Sequence, residues 1–105
     1  MIKSINKGYS VDISASGNKI TILGNIKSVS DYQELKTTID GVVASHESII
    51  VDIKDSISIT SSIIGYFNKL ILKDKIKVNM IIGNTSLMEL LEDLNLISLF
   101  QAKKG

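Results

Sequence analysis

Several residue types that support common protein chemistry are missing from this chain of 105 residues. It contains no cysteine, proline or tryptophan, and all of its 12 basic residues are lysine, so arginine is missing too. Without cysteine there is no disulfide, no thiolate metal ligand and no thiol nucleophile. Without arginine the chain lacks the forked donors that read guanine and clamp phosphates, which argues against nucleic-acid binding.

Histidine is almost missing as well, and this limits the catalytic possibilities. The single histidine, His46, lies in a polar connection between a predicted helix and a predicted strand, where a surface position is expected. A transition-metal site would depend on carboxylates alone, so we expect no metal ion and no other cofactor. The sequence predicts a protein that is not an enzyme.

Long apolar segments are also missing. The longest apolar runs are far shorter than the ~20 residues of a membrane span, and residues 1–10 lack the continuous apolar region of a signal peptide. The composition, 44% hydrophobic and 22% charged with a net charge of +1, is typical of a folded globular protein. We therefore expect a cytoplasmic protein with one domain over residues 1–105, including an N-terminal extension over residues 1–8 and a frayed tail over residues 101–105.

Isoleucine, by contrast, is abundant, and its β-branched side chain favours strands. Tyr9, Val11 and Ile13 alternate with polar residues and predict a first strand, which the turn residues 16–18 connect to a second strand over residues 19–23. The apolar spacing then changes to three and four residues, which predicts a helix with Ser30 as its N-cap.

The second half of the chain alternates between strands and helices. The apolar run within residues 48–53 predicts a strand covered on both faces, and residues 78–82 predict another buried strand. Helical spacing returns over residues 60–73 and again after Ser86, which we expect to cap the last helix. The sequence thus predicts an α/β fold with a mixed four-stranded sheet, an opening β-hairpin followed by βαβαβα, and helices packed on the sheet.

Three loops of this fold leave the carboxyl ends of parallel strands and should meet at one edge of the sheet, where open α/β sheets place functional sites. These loops contain many hydroxyl residues, namely Ser28, Thr60, Ser61, Ser62, Thr85 and Ser86.

Thr60, Ser61 and Ser62 stand together where a loop enters a helix. One hydroxyl is enough to cap a helix, a contribution of ~1 kcal/mol. A phosphoryl group at this position would face the free N–H groups of the helix start and would add a charge of about −1.5 to −2. The residues alone leave both readings open, a structural cap and a regulatory serine.

Residues 19–100 resemble the STAS family, the anti-sigma factor antagonist domains. Residues 24–27 (Gly-Asn-Ile-Lys) resemble that family's Gly-x-Leu-Asp, and residues 50–53 (Ile-Val-Asp-Ile) resemble its central Val-Leu-Asp-Leu strand. Residues 59–65 (Ile-Thr-Ser-Ser-Ile-Ile-Gly) correspond to its signature Ile-Asp-Ser-Ser-Gly-Leu-Gly. Residues 90–100 are similar to the leucine-rich C-terminal segment of the family, Leu-Leu-x-x-x-Gly-Leu followed by Leu-Phe.

The resemblance implies a role in transcription regulation by partner switching. Ser61, with Ser62 as the alternative, would be phosphorylated by a serine kinase that is also an anti-sigma factor, of the histidine-kinase-like ATPase type. A PP2C-type phosphatase would reset it. The implied partner-binding residues are Asn25, Lys27, Ser28, Thr60, Ser62, Ile64, Gly65 and Asn68.

The sequence departs from the family pattern at three positions. Thr60 and Lys27 stand where the family has aspartate, and Ile63 stands where the signature has its first glycine. These departures support an alternative role, a constitutive STAS interaction or scaffold module of a larger signalling or transport complex that is not phosphorylated.

Overall fold

The computed structural model describes residues 9–26, 28–54 and 61–105. Several predictions concern residues outside the described ranges. They are the N-terminal extension over residues 1–8, the loop over residues 55–59, and the site residues Lys27 and Thr60. The strands are β1 Tyr9–Ile13, β2 Lys19–Gly24, β3 Ser48–Lys54, β4 Lys77–Ile82 and β5 Lys103–Lys104. The helices are α1 Val29–Val43, α2 Ser61–Leu72, α3 Thr85–Asp93 and α4 Ile97–Phe100.

The strands form one mixed sheet in the order β1-β2-β3-β4-β5. The pair β1–β2 is an antiparallel hairpin, and every later pair is parallel. The predicted α/β fold, with a hairpin followed by βαβαβα, is therefore confirmed. The sheet has five strands where four are predicted. The fifth lies in the tail that the sequence predicts to fray, because Lys103 and Lys104 pair with Ile81 and Ile82.

Both predicted helix caps are wrong by two residues. The side chain of Ser28, and not that of Ser30, accepts a hydrogen bond from the N–H of Asp31 at 3.1 Å and caps α1. Asn84, and not Ser86, caps α3, since its Oδ1 atom accepts from the N–H of Leu87 at 3.1 Å. Each helix thus begins at the earlier of two residues with side chains that are able to cap it.

The helices pack on one face of the sheet. The strands β2 to β5 follow one another in a single direction, so right-handed crossovers bring each connecting helix to the same side. We call this side the covered face. It consists of buried strand residues that share one core cluster with the helices: Ile20, Ile22, Ile49, Val51, Ile53, Val78, Met80 and Ile82.

The opposite side of β2, β3 and β4, which we call the open face, has a different composition. Its residues alternate with those of the covered face and are exposed or half-buried apart from the buried Asp52. They are Lys19, Thr21, Leu23, Ser48, Ile50, Asp52, Lys54, Lys77, Asn79 and Ile81. The prediction that residues 48–53 form a strand covered on both faces is therefore wrong. Ile50 is half-buried and does not pack against the core cluster.

Aromatic contacts join the helices above the covered face. Phe67 of α2 is fully buried, and its ring lies 6.2 Å from that of Phe100 of α4 in an edge-on arrangement. The neighbouring ring of Tyr66 is 5.6 Å from Phe67. These contacts fix the orientation of α2 and hence the direction in which its first residues point.

Candidate functional site

The edge of the sheet at which three loops are predicted to meet is formed by the ends of three parallel strands. Because β2, β3 and β4 are parallel, their carboxyl ends lie side by side, with Leu23 opposite Lys54 and Ile53 opposite Ile82. The N–H of Gly83 continues this pairing by donating to the carbonyl of Ile53 at 2.9 Å. We call this side of the sheet the carboxyl edge.

Ser61 is the first residue of α2 and lies at the carboxyl edge. Its side chain is exposed, and its hydroxyl forms no hydrogen bond with a described residue; the same holds for Ser62. The reason lies in the helix pattern, since Ile63, Phe67 and Leu70 turn toward the core and leave the preceding serines on the outer side. The first turn of α2 contains no acidic residue.

The other hydroxyl residues predicted at this edge differ in their surroundings. Ser28 is occupied as the α1 cap. The hydroxyl of Thr85 accepts a hydrogen bond from Nζ of Lys104 at 2.8 Å. Ser86 is exposed and its hydroxyl, like that of Ser61, has no hydrogen bond to a described residue. Lys104 is thus a charged residue of the edge that the sequence misses, because it lies in the tail that was predicted to fray.

The outer side of α2 continues from Ser61 as a stripe. Ser61, Gly65, Asn68 and Leu72 follow one another at spacings of four, three and four residues, so they share one side of the helix. A Cβ atom added at Gly65 would meet no heavy atom within 4 Å, so the backbone there is open to a partner. Leu72 is 60% exposed and is not among the predicted partner-binding residues. We call these four residues the α2 stripe.

Two of the predicted partner-binding residues of α2, one beside the stripe and one within it, are only half-buried. Ile64 is half-buried and packs against the core cluster. Asn68 is half-buried too, and its Oδ1 atom is shielded from solvent and accepts no hydrogen bond from a described residue.

The remaining predicted residues have mixed outcomes. Asn25 is half-buried just after Gly24, whose φ of 87° requires the left-handed backbone that glycine tolerates. Lys27 and Thr60 lie outside the described residues. Ile63, which replaces the signature glycine, is 1% exposed and fills the core instead of enlarging the outer side of α2.

A polar clamp ties α2 to α1. The hydroxyl of Tyr66 donates to Oδ1 of Asp40 at 2.6 Å, and Nζ of Lys36 donates to Oδ2 of Asp40 at 3.0 Å. Burial and the bond to Asp40 raise the pKa of Tyr66 far above its ordinary value, so this hydroxyl keeps its proton. Burial alone would raise the pKa of Asp40, but the hydrogen bonds from Tyr66 and Lys36 outweigh it and lower that pKa.

His46 lies at the opposite edge of the sheet and is half-buried. Its Nδ1 atom is 3.0 Å from the carbonyl oxygen of Val42, and its ring borders Gly17 in the β1–β2 turn. No group of three or more potential metal ligands occurs within residues 9–26, 28–54 and 61–105. In the same part of the chain, none of the helices has the length and apolarity that crossing a lipid bilayer requires.

Comparison with known proteins relates this geometry to a known fold. No family model matches the sequence, and no curated protein matches it. The crystal structure of an anti-sigma factor antagonist from Mycobacterium paratuberculosis matches with a TM-score of 0.69 and 13% sequence identity. The match covers 99% of this chain and 92% of that one. The STAS-like fold that the sequence predicts is therefore confirmed.

Proposed function

We propose that this chain is a cytoplasmic, single-domain regulator of the anti-sigma factor antagonist type, which is not an enzyme and acts by partner switching. One observation carries the proposal. Ser61, at the position of the acceptor serine of the STAS signature, begins α2 with an exposed hydroxyl that bonds to no described residue. Ser28, by contrast, is occupied as a helix cap.

The surroundings of Ser61 suit a phosphate. The amino end of a helix favours negative charge through its N–H groups and its dipole, and no acidic residue in the first turn of α2 opposes this. A phosphate would add a charge of about −1.5 to −2 without disturbing the helix. Phosphorylation would therefore change the affinity for the partner and not the fold, because the new charge lies at the beginning of the α2 stripe.

The unmodified protein would bind its partner through the α2 stripe and the adjoining carboxyl edge. Gly65 would allow close approach of the partner backbone, and Leu72 would provide an apolar contact at the far end of the stripe. By resemblance, the partner is an anti-sigma factor and serine kinase of the histidine-kinase-like ATPase type. A PP2C-type phosphatase would remove the phosphate.

Mass spectrometry after incubation with the cognate kinase and ATP tests the acceptor. We expect one phosphate, lost in Ser61→Ala and retained in Ser86→Ala, the matched control with an equally exposed serine at the start of α3. Ser62→Ala distinguishes the neighbouring serine. Absence of phosphate from both Ser61 and Ser62 would rule out the switch.

A binding measurement tests the consequence of phosphorylation. Ser61→Asp should weaken the complex with the kinase by about tenfold or more, because it introduces a charge into the docking surface. An unchanged affinity would favour the second candidate, the constitutive interaction module. Two substitutions support that candidate, because Lys27 and Thr60 stand where the family has aspartate. The third departure, Ile63, is 1% exposed and therefore contributes to the core and not directly to a docking surface.

A further inference from the structure

The open face is an unusual surface for parallel strands, which are normally covered on both sides. The described helices lie on the other side, and the two central isoleucines of the open face do not pack against the core cluster. Ile50 stands opposite Asn79, and Ile81 stands opposite Asp52, so the two isoleucines are diagonal neighbours on adjacent strands. They form a small aliphatic centre.

Lysines surround this aliphatic centre. Lys19 and Lys54 approach the same carboxylate oxygen of Asp52 at 3.7 and 3.6 Å, so two positive charges share one negative charge. Lys77 and Lys103 form no ion pair with a described residue. Lys103 belongs to this side because it stands opposite Ile81.

The open face is thus more positive than the molecule as a whole. Asp12, which stands opposite Thr21, adds one negative charge. Among the described residues, four lysines and two aspartates lie on this face and give it a net positive charge, whereas the chain as a whole is close to neutral at +1. A ligand for the open face should therefore combine an aliphatic strip with flanking carboxylates.

We propose that the open face binds an acidic amphipathic helix of a protein partner. Neighbouring strands are ~4.8 Å apart, so β2 and β4 are separated by about 10 Å, which is the width of one helix with its side chains. Such a helix would set its aliphatic side on Ile50 and Ile81. Its carboxylates would reach Lys19 on one flank and Lys77 and Lys103 on the other.

Charge argues against a second copy of this chain as the occupant. Two open faces set together would bring Lys77 and Lys103 of each copy against a surface of the same sign, and like charges across an interface are unfavourable. The proposed surface also lies on the opposite side of the sheet from α2. A partner bound there would leave the α2 stripe accessible, so the proposal does not depend on phosphorylation of Ser61.

Two synthetic peptides of about 18 residues test this proposal. Both are amphipathic helices with leucine on one side, and they differ only in carrying glutamate or lysine on the flanks. We expect the glutamate peptide to bind ¹⁵N-labelled protein and to shift the amide signals of Ile50, Asn79 and Ile81. The affinity should fall about tenfold or more between low and high salt, because the attraction is screened.

Charge reversal locates the site. Lys77→Glu should weaken binding of the glutamate peptide about tenfold. Lys73→Glu is the matched control, since it alters net charge equally at an exposed lysine outside the open face, and it should change binding less than about twofold. Folding of both variants is checked by circular dichroism.

Four results would overturn the proposal. They are no binding of the glutamate peptide at about 1 mM, equal binding of the lysine peptide, shifts confined to residues outside the open face, and self-association that Ile81→Lys abolishes. None of these results bears on the Ser61 phosphorylation experiment, so failure here is distinguishable from failure of the proposed function.

Discussion

The two faces of the sheet differ in burial, although neighbouring isoleucines of the same strand lie on opposite faces. In β3, Ile49 is fully buried on the covered face, whereas Ile50 is half-buried on the open face. In β4, Ile82 is fully buried and Ile81 is half-buried. The covered face holds the core that fixes α2 and Ser61, whereas Ile50 and Ile81 of the open face do not pack against that core. We therefore expect the open face to contribute less to stability.

Alanine substitutions at the paired isoleucines should give the largest contrast. Ile49→Ala should lower the free energy of unfolding by about 2–5 kcal/mol, because it leaves a cavity in a packed core. Ile50→Ala should cost about 1 kcal/mol, because part of this side chain already contacts water. Urea unfolding with the midpoint and the slope both fitted measures the difference.

The corresponding pair in β4, Ile82 and Ile81, tests whether the difference between the faces holds on a second strand. Ile82→Ala should behave like Ile49→Ala, and Ile81→Ala like Ile50→Ala, with a somewhat larger loss at Ile81 because Gly105 lies against its side chain. Equal losses in the free energy of unfolding on the two faces would mean that the open face is covered in the free protein. The distinction between the two faces would then be wrong.

The contrast between the faces is also the point at which sequence reasoning was least successful. Residues 49–51 are all apolar and β-branched, so they carry no alternation, and the run is compatible with one covered face or with two. Only the order of the strands decides, since successive crossovers in one direction bring all helices to the same side.

Other features were predictable because they depend on strong periodicity. The order of elements follows from changes between strand and helix spacing, and the side-by-side carboxyl ends of β2, β3 and β4 follow from that order. The position of Ser61 at the start of α2 follows in the same way. The N-cap of α1 could not be predicted from the sequence, because Ser28 and Ser30 are chemically equivalent candidates two residues apart. Strand β5 did not follow either, since two residues contain no period.

On the covered side, Tyr66→Phe should have an intermediate effect. The substitution removes the hydroxyl that donates to Asp40 at 2.6 Å and keeps the ring that contacts Phe67. A hydrogen bond to a charged acceptor contributes about 1.5–3 kcal/mol, and the partial exposure of Asp40 favours the lower end of this range. Thermal unfolding measures the loss, and Tyr32→Phe is the control for removing a tyrosine hydroxyl. A neutral result would mean that water replaces the hydroxyl in the clamp.

On the open face, Asp52→Asn should have a smaller effect even though Asp52 is buried. Its two lysine partners lie at 3.6 and 3.7 Å, beyond hydrogen-bond distance, and both lysine side chains are exposed and can return to water. The loss of Coulomb attraction is offset by the lower cost of burying a neutral group, so we expect stability within about 1 kcal/mol of the parent protein. Denaturant unfolding at low salt measures it, and a loss as large as that of Ile49→Ala would contradict the division between the faces.

The smallest expected effect is a pH dependence of the clamp on the covered side. The pKa of Asp40 is lowered in the folded protein, so its ionised form favours folding. This contribution is complete above the unfolded value of about 4 and disappears as the pH falls through the lower folded value. Asp40 is 44% exposed, so the contribution is modest. Asp40→Asn should therefore lower stability at pH 7, and the difference from the parent protein should shrink on acidification below about pH 4. Thermal melts across this range measure it, with Asp12→Asn as an exposed control on the open-face side of β1. If the stability difference between Asp40→Asn and the parent protein stayed constant with pH, Asp40 would stabilise the fold through packing and not through its charge.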